Sequence, residues 1–331
     1  MQPFPPPQFI QLYPTDRCNQ DCSFCFNRPS GLVKDMSHEN ALNLLDTMCN
    51  LGILDLDIMG GEPFLLPWMP SFLHAAIKER IMVNISTNGS FPEVMEEFRG
   101  LSAEEINIGI SLEGSSAQAH DRLTNAANFE KALSSISSLV SMGLNPIVKT
   151  VVTVATMPDI QFIAELLKKL GVKRYYLIHM DLLSTEHNSQ LSAISYPNFL
   201  HFFYKISAMG TSDIQMYKVH ASCFEKQEIP AGVRCAGGVR KLSVMPDGSV
   251  YPCNLFQHFP EFNLGNIFTD TFSEIWSSPK LDYFRTFRKN SCEMKTCSNL
   301  SFCTGGCPAH SYFHGKELQG TDIRCTEETI S

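Results

Sequence analysis

The 331-residue sequence predicts an α/β fold: a parallel sheet of six strands alternating with helices, followed by a separate cysteine-rich module. Three observations carry this. Short runs of period-two alternation recur between stretches of helical periodicity through residues 1–190, the pattern of βαβ units. Such units join by right-handed crossovers into a parallel sheet. The cysteines are also split: of twelve, four lie at or before position 49, none between 50 and 222, and eight behind. Length alone allows two domains at roughly 150 residues each, with ample core.

The elements follow in order. Phe9-Ile10-Gln11-Leu12-Tyr13 reads as a strand and leads into the loop bearing Cys18, Cys22 and Cys25. Across residues 37–51, Ala41, Leu42, Leu45, Met48 and Cys49 fall at helical spacing, with Ser37 as N-cap and Gly52 as the stop. This places Cys49 on the apolar face as a buried small hydrophobe and not as a ligand. Residues 54–59 alternate as the second strand and end in Gly60-Gly61-Glu62-Pro63. A helix over about 69–79 precedes the third strand, 82–86; the fourth is 106–112. After a helix at 129–142 comes the fifth strand, 146–154, and after a helix at 159–170 the sixth, 174–179. Parallel sheets carry their chemistry at the C-terminal ends of the strands. The cysteine loop, Gly60–Pro63, Ser86-Thr87-Asn88-Gly89 and Ser111-Leu112-Glu113-Gly114 all fall there. The expected boundaries are 1–190 for the sheet and helices, 191–222 for a helical linker, and 223–331 for the cysteine-rich module.

Composition excludes several classes. With 44% hydrophobic and 18% charged residues the chain reads as an ordinary globular protein, neither disordered nor fibrous. A formal net charge of −8 argues against a nucleic-acid partner, which calls for a basic patch. No apolar run approaches the roughly 18 residues of a membrane span. The start, Met1-Gln2-Pro3-Phe4, lacks the basic and apolar regions of a secretory signal. Cysteine density without such a signal points to metal ligation in a reducing compartment, hence a cytoplasmic protein.

Three thiols in one loop, Cys18-x3-Cys22-x2-Cys25, suit an iron–sulfur cluster with one iron left open to another chelator. Zinc is the competing reading. It closes with a fourth thiol or imidazole, and only His38, at a helix start, stands near. With Phe26 after the last cysteine, and Gly60-Gly61-Glu62-Pro63 ending the second strand, the chain resembles the radical S-adenosylmethionine (radical SAM) family. That resemblance implies a partial (β/α)6 TIM-like barrel and a [4Fe–4S] cluster whose open iron chelates SAM. It further implies SAM contacts from Phe24, Phe26, Gly60, Gly61, Glu62, Pro63, Asn88 and Ser111. Arg122 would meet the SAM carboxylate, although here it stands two positions away from its usual place in the family's pattern, which leaves it equally readable as a solvated loop charge.

Behind, Cys235, Gly248 and Cys253 are followed by Cys292-x4-Cys297-x5-Cys303-x3-Cys307 and then Cys325. This run is similar to the SPASM extension, with x4 standing where the extension has x2. The resemblance implies two auxiliary [4Fe–4S] clusters, three in all. Cys292, Cys297, Cys303 and Cys325 would hold one of them. Cys235, Cys253 and Cys307 would hold the other, with Cys223 favoured as its fourth ligand over an open iron.

By the same resemblance the chain is an oxidoreductase that cleaves SAM to a 5′-deoxyadenosyl radical and takes a substrate hydrogen. The protein's share is binding, orientation and exclusion of water. The implied substrate is a ribosomal peptide, to be crosslinked through a thioether or carbon–carbon bond, or oxidised. A small-molecule dehydrogenase or decarboxylase is the alternative. Sulfatase-type oxidation is disfavoured, because Asn254 occupies the place of that group's basic aspartate and an amide takes no proton. No peptide-recognition domain is expected before the strand at Phe9, so a peptide would be gripped by the barrel or by a separate recognition protein. The electron donor would be of flavodoxin or ferredoxin type. His179, ending the sixth strand, is the catalytic candidate if it faces the cavity, and equally reads as a satisfied structural histidine.

Overall fold

The computed structural model describes residues 4–27, 32–183, 193–209, 213–220, 233, 235–286, 303 and 305–325. The elements of the first half are β1 (Phe9–Leu12), α1 (His38–Leu51), β2 (Asp55–Ile58), α2 (Met69–Lys78), β3 (Met82–Thr87), β4 (Ile106–Ser111), α3 (Ala117–Thr124) and α4 (Phe129–Ser141). There follow β5 (Ile147–Val152), α5 (Ile160–Lys169), β6 (Arg174–His179), α6 (Tyr196–Met209) and β7 (Gln215–Val219). The rear holds β8 (Lys241–Val244), β9 (Ser249–Tyr251), β10 (Gly265–Asn266) and the short helices α7 (Phe272–Trp276), α8 (Asp282–Arg285) and α9 (Pro308–Gly315).

Two compact units interleave along the chain. The first comprises Met1–Arg17, Pro29–Asn84 and Ser222–Asp322; the second comprises Cys18–Arg28, Ile85–Ala221 and Ile323–Ser331. In the first, the strands run β10-β9-β8-β1-β2-β3. Phe9 lies opposite both Asp55 of β2 and Lys241 of β8, each parallel, while β8, β9 and β10 form an antiparallel meander. In the second, the order is β3-β4-β5-β6-β7, with β4 to β7 paired in parallel.

All six expected strands form. Two more extend the parallel set: β8 beyond β1, and β7 beyond β6, in the segment expected to be a purely helical linker. Helix α1 starts where its cap chemistry dictates: Ser37 Oγ accepts from the Asn40 amide at 3.1 Å, and Gly52 closes the helix at φ 69°. Its buried stripe, however, is Ala41, Leu44, Leu45 and Met48, while Cys49 is exposed, which corrects the expectation of a buried thiol. Helix α5 buries Ile160, Ile163 and Leu167 completely, each contributing on the order of 1.5–3 kcal/mol. Along β5 and β6 burial alternates: Val148, Thr150, Val152, Tyr175, Leu177 and His179 are buried, while Lys149, Val151, Tyr176 and Ile178 form the opposite, less buried face. Among the described residues no helix is long and apolar enough to cross a membrane.

Candidate functional site

The cysteine loop belongs to the second unit, which fastens it along its length. The Asp21 amide donates to the Thr124 carbonyl at 3.0 Å, and the Ser23 amide to the Leu123 carbonyl at 2.9 Å. Asn125, left-handed at φ 51° where it ends α3, donates its side chain to the Asp21 carbonyl at 2.7 Å. From the end of β3, Asn88 Nδ2 donates to Asn19 Oδ1 at 2.7 Å and lies 4.0 Å from Cys18 Sγ. Asn88 Oδ1 accepts from the Ser90 amide at 3.0 Å, so both ends of that side chain are held. The three thiols form no disulfide; Cys18 is exposed, and Cys22 and Cys25 are half-buried.

Electrostatics explains what such a trio lacks. Burial pushes the Cys22 thiol well above its usual range, and the neighbouring Cys25, Glu113 and Cys18 push it further. Glu113, just past β4, is itself fully buried; burial raises its carboxyl to about 8, against a bond from the Val151 amide at 2.9 Å. The Glu113 amide donates to His120 Nδ1 at 3.0 Å. His120 is therefore neutral with its proton on Nε2, and burial lowers its pKa to about 4. Gly114 lets the chain pass close to α3, since a Cβ there would lie 2.5 Å from the His120 backbone nitrogen. Buried thiols that oppose one another's ionisation suit a positively charged centre that would hold them as thiolates. A four-iron cluster would take each of three such thiolates on a different iron.

Other sites expected in this unit fall in different places. Ser111 is half-buried at the end of β4. Phe24 packs on Met180, Leu182 and Ala193, and Phe26 is half-buried. Arg122 is exposed on α3. His179 shares the face of Tyr175 and Leu177: its Nε2 lies 3.0 Å from the Ile194 carbonyl and its ring stacks on Phe199 of α6 at 4.9 Å. Period-two alternation thus turns it to the helix side, away from Tyr176 and Ile178.

The glycine turn belongs to the first unit. Gly60 has φ 125°, and a Cβ there would come within 2.8 Å of the Thr15 carbonyl. The Gly61 amide donates to that carbonyl at 2.9 Å and the Glu62 amide to the Arg17 carbonyl at 2.7 Å, so the turn grips the chain just before Cys18. Buried Glu62 accepts from the Phe64 amide at 3.1 Å, ahead of Pro63.

This unit also carries the rear thiols. Cys253 donates to Asn254 Oδ1 at 3.1 Å, and Asn254 Nδ2 donates to the Tyr13 hydroxyl at 2.9 Å. The buried amide thus both accepts and donates, which a carboxylate does not. Cys307 is buried, its amide held by Asp322 at 2.9 Å; the Gly305 amide donates to Cys303 Sγ at 3.3 Å. Cys223, Cys292 and Cys297 lie outside the described residues, and Cys325 belongs to the second unit. Sequence reasoning missed Lys241, whose side chain hydrogen-bonds Cys253. Its only sequence signal is a charge heading the otherwise apolar start of β8.

Two family models match: the radical SAM superfamily over residues 12–170, and the SPASM iron–sulfur cluster-binding domain over 235–304. The chain thus carries a radical SAM domain, of a kind that works with SAM and a [4Fe–4S] cluster, and behind it a SPASM domain. It is 27% identical over 319 residues to the antilisterial bacteriocin subtilosin biosynthesis protein AlbA of Bacillus subtilis, covering 92% of this chain and 68% of AlbA. It is 24% identical over 325 residues to the mycofactocin maturase MftC of Mycobacterium tuberculosis, covering 95% and 81%. The structure of Streptococcus suis SuiB bound to S-adenosylmethionine matches with a TM-score of 0.80 at 19% identity, over 97% of this chain and 77% of SuiB. SuiB bound to its precursor peptide SuiA matches at 0.74. At such identities these two likenesses are of fold.

Proposed function

We propose that the chain is a maturase of a ribosomally made precursor peptide, forming a thioether or carbon–carbon crosslink or oxidising a residue. The observation that carries this reading is coverage. The likeness to AlbA and to MftC runs through more than nine tenths of the chain, front loop and rear module alike. That SuiB was solved with a precursor peptide supports the same substrate class.

In this reading Cys18, Cys22 and Cys25 hold the SAM cluster. Cys235, Cys253, Cys307 and Cys223 hold one auxiliary cluster, and Cys292, Cys297, Cys303 and Cys325 the other. When bound, the front cluster and SAM supply a 5′-deoxyadenosyl radical that takes a hydrogen from the substrate. The chain's own residues set the stage. Asn88 and the end of α3 hold the thiol loop, and Gly60 keeps backbone free of a side chain where SAM's amino group would approach. A flavodoxin- or ferredoxin-type protein donates the electron, and the barrel itself or a separate recognition protein grips the peptide, in the cytoplasm.

Reconstituted protein should carry about twelve irons per chain, and about eight after Cys18→Ala, Cys22→Ala and Cys25→Ala together, with deoxyadenosine formation lost. Zinc in place of iron, or deoxyadenosine from the triple variant, refutes the reading. Co-expression with a short precursor peptide encoded beside the gene should lower the peptide's mass by two hydrogens per crosslink. An unchanged mass favours a small-molecule substrate instead.

A further inference from the structure

On the less buried face of the second unit's sheet, one side chain runs across a neighbouring strand. Lys149 of β5 donates from Nζ to Ser86 Oγ of β3 at 2.6 Å, with β4 lying between the two. The crossing point is Gly109: a Cβ there would lie 2.4 Å from Lys149 Cε and 2.6 Å from Nζ. The backbone does not ask for glycine at this position, since its φ is not positive, and glycine inside a strand costs stability. The space that a side chain would take at 109 holds the lysine stem instead. Across the sheet Ser111, Lys149, Tyr176 and Tyr217 stand in register on four neighbouring strands, and the two tyrosine rings meet at 4.8 Å. The next row toward the strand ends is apolar: Val151, Ile178 and Val219. The same strands reach the thiol loop. The Lys149 carbonyl accepts from the Leu112 amide at 2.9 Å, next to Glu113, and Asn88, two residues beyond Ser86, holds Asn19. By lying over Gly109 the ammonium stands one side-chain row, roughly 7 Å, deeper than Ser111.

We propose that Lys149 determines substrate specificity, its ammonium binding a carboxylate of the peptide that the front site modifies. The inference deepens the peptide-maturase reading and rests on it. An ammonium is a compact charge with three donors, and a carboxylate is the peptide group that matches it in charge and in acceptors. Ser86 and the floor at Gly109 fix where that charge stands, so little side-chain freedom is lost when a ligand arrives. Depth argues for the substrate over SAM: the family pattern gives the Ser111 level to SAM, and the ammonium lies a row below it. Beside it, the tyrosine pair and the apolar row offer surface to the adjoining part of a peptide. A peptide carries carboxylates of two kinds, on Asp or Glu side chains and at its C-terminus, and one chemistry serves for both.

The test uses the reconstituted full-length chain loaded with SAM. Its probe is the precursor peptide encoded beside the gene, labelled with fluorescein at the N-terminus and followed by anisotropy. Lys149→Met should weaken peptide binding about tenfold to a hundredfold, while SAM affinity, read by isothermal titration, stays within about threefold of the parent. Gly109→Ala keeps the lysine but pushes its stem aside, and should weaken the peptide by at least about threefold. Because this second variant keeps the charge and meets only the flexible end of a side chain, it decides the matter even where Lys149→Met does not fold. A panel of peptides finds the partner: each Asp or Glu changed in turn to Asn or Gln, and the C-terminus amidated. One member should bind the parent as weakly as the native peptide binds Lys149→Met, and should lose nothing further against that variant, the mark of a direct pair. A side-chain member with this behaviour identifies an acidic residue, and the amidated member identifies the C-terminus. A panel in which every loss is additive overturns the proposal, as do variants that bind the peptide like the parent. A larger loss of SAM affinity in Lys149→Met also overturns it, since the ammonium then serves SAM's own carboxylate. A parent that neither binds nor modifies the peptide overturns the maturase reading, and this inference with it; a parent that modifies it while Lys149→Met binds it equally well overturns the inference alone.

Discussion

The front and rear thiols live in opposite electrostatic surroundings. Cys22 is acted on by burial, by two sister thiols and by Glu113, all of which oppose negative charge. Cys253 accepts a hydrogen bond from Lys241, beside which Cys235 and Asp57 also stand. The front thiols thus resist ionisation until a positively charged centre binds them, whereas the rear pair already has a basic side chain beside it.

The largest expected effect separates the two sites outright. Changing Cys18, Cys22 and Cys25 to Ala should abolish deoxyadenosine formation, whereas Cys235→Ala with Cys253→Ala should leave SAM cleavage measurable and abolish the modified product. Chromatography of both products checks this. If the rear variant also fails to cleave SAM at full front-cluster occupancy, the division of labour is wrong.

Next is the acidity of the front site. Glu113 titrates near 8 when folded, against 4.5 for an ordinary glutamate, so the folded protein keeps a proton that the unfolded chain releases between those values. Stability from this group is complete below about pH 4.5 and is lost as pH rises toward 8, by up to about 1.4 kcal/mol per pH unit. Glu113→Gln retains an acceptor for the Val151 amide and does not titrate, so its unfolding midpoint should fall less between pH 5 and 8 than that of the parent. His120 works the other way: with its folded pKa lowered to about 4 from 6.5, it costs stability as pH falls through that window. The acid limb should therefore survive in Glu113→Gln. Equal slopes for parent and variant would remove Glu113 from the comparison.

Gly60→Ala should cost about 1–3 kcal/mol, because φ 125° is strained for any side chain and the new Cβ would meet the Thr15 carbonyl at 2.8 Å. Denaturant unfolding measures it, and a loss below about 0.5 kcal/mol would show that the turn relaxes freely.

Much of this was legible in the sequence wherever local chemistry decides. The strands β1 to β6 follow period two, and α1 carries both its cap and its stop. Helix α3 was not, because Ala117-Gln118-Ala119-His120-Asp121-Arg122-Leu123-Thr124 has no apolar stripe; it is set by the Ser116 cap and the close approach at Gly114. Strand β7 is half-exposed throughout, so no buried face marks it. Cys49 was misplaced because, at about 100° per residue, it stands roughly a quarter turn from the centre of the 41–44–45–48 stripe. The thiol loop could be read as a ligand set from spacing alone. The cation at Cys253 could not, because it depends on β8 lying beside β1, which is not local.

The smallest effect is expected at Arg122, and it bears on the front site's charge. A guanidinium at the SAM carboxylate would place a cation beside the thiol loop and weaken the contrast with Lys241. Arg122 is exposed on α3, where it reads equally as a solvated charge, and an exposed arginine contributes little to stability. Arg122→Ala should thus change SAM affinity by less than about threefold, which is under 0.7 kcal/mol, and leave the unfolding midpoint within about 0.5 kcal/mol. Isothermal titration of SAM into the reconstituted enzyme reads the first number directly. A tenfold loss of affinity would put a positive charge back at the front site and remove its contrast with the surroundings of Cys253.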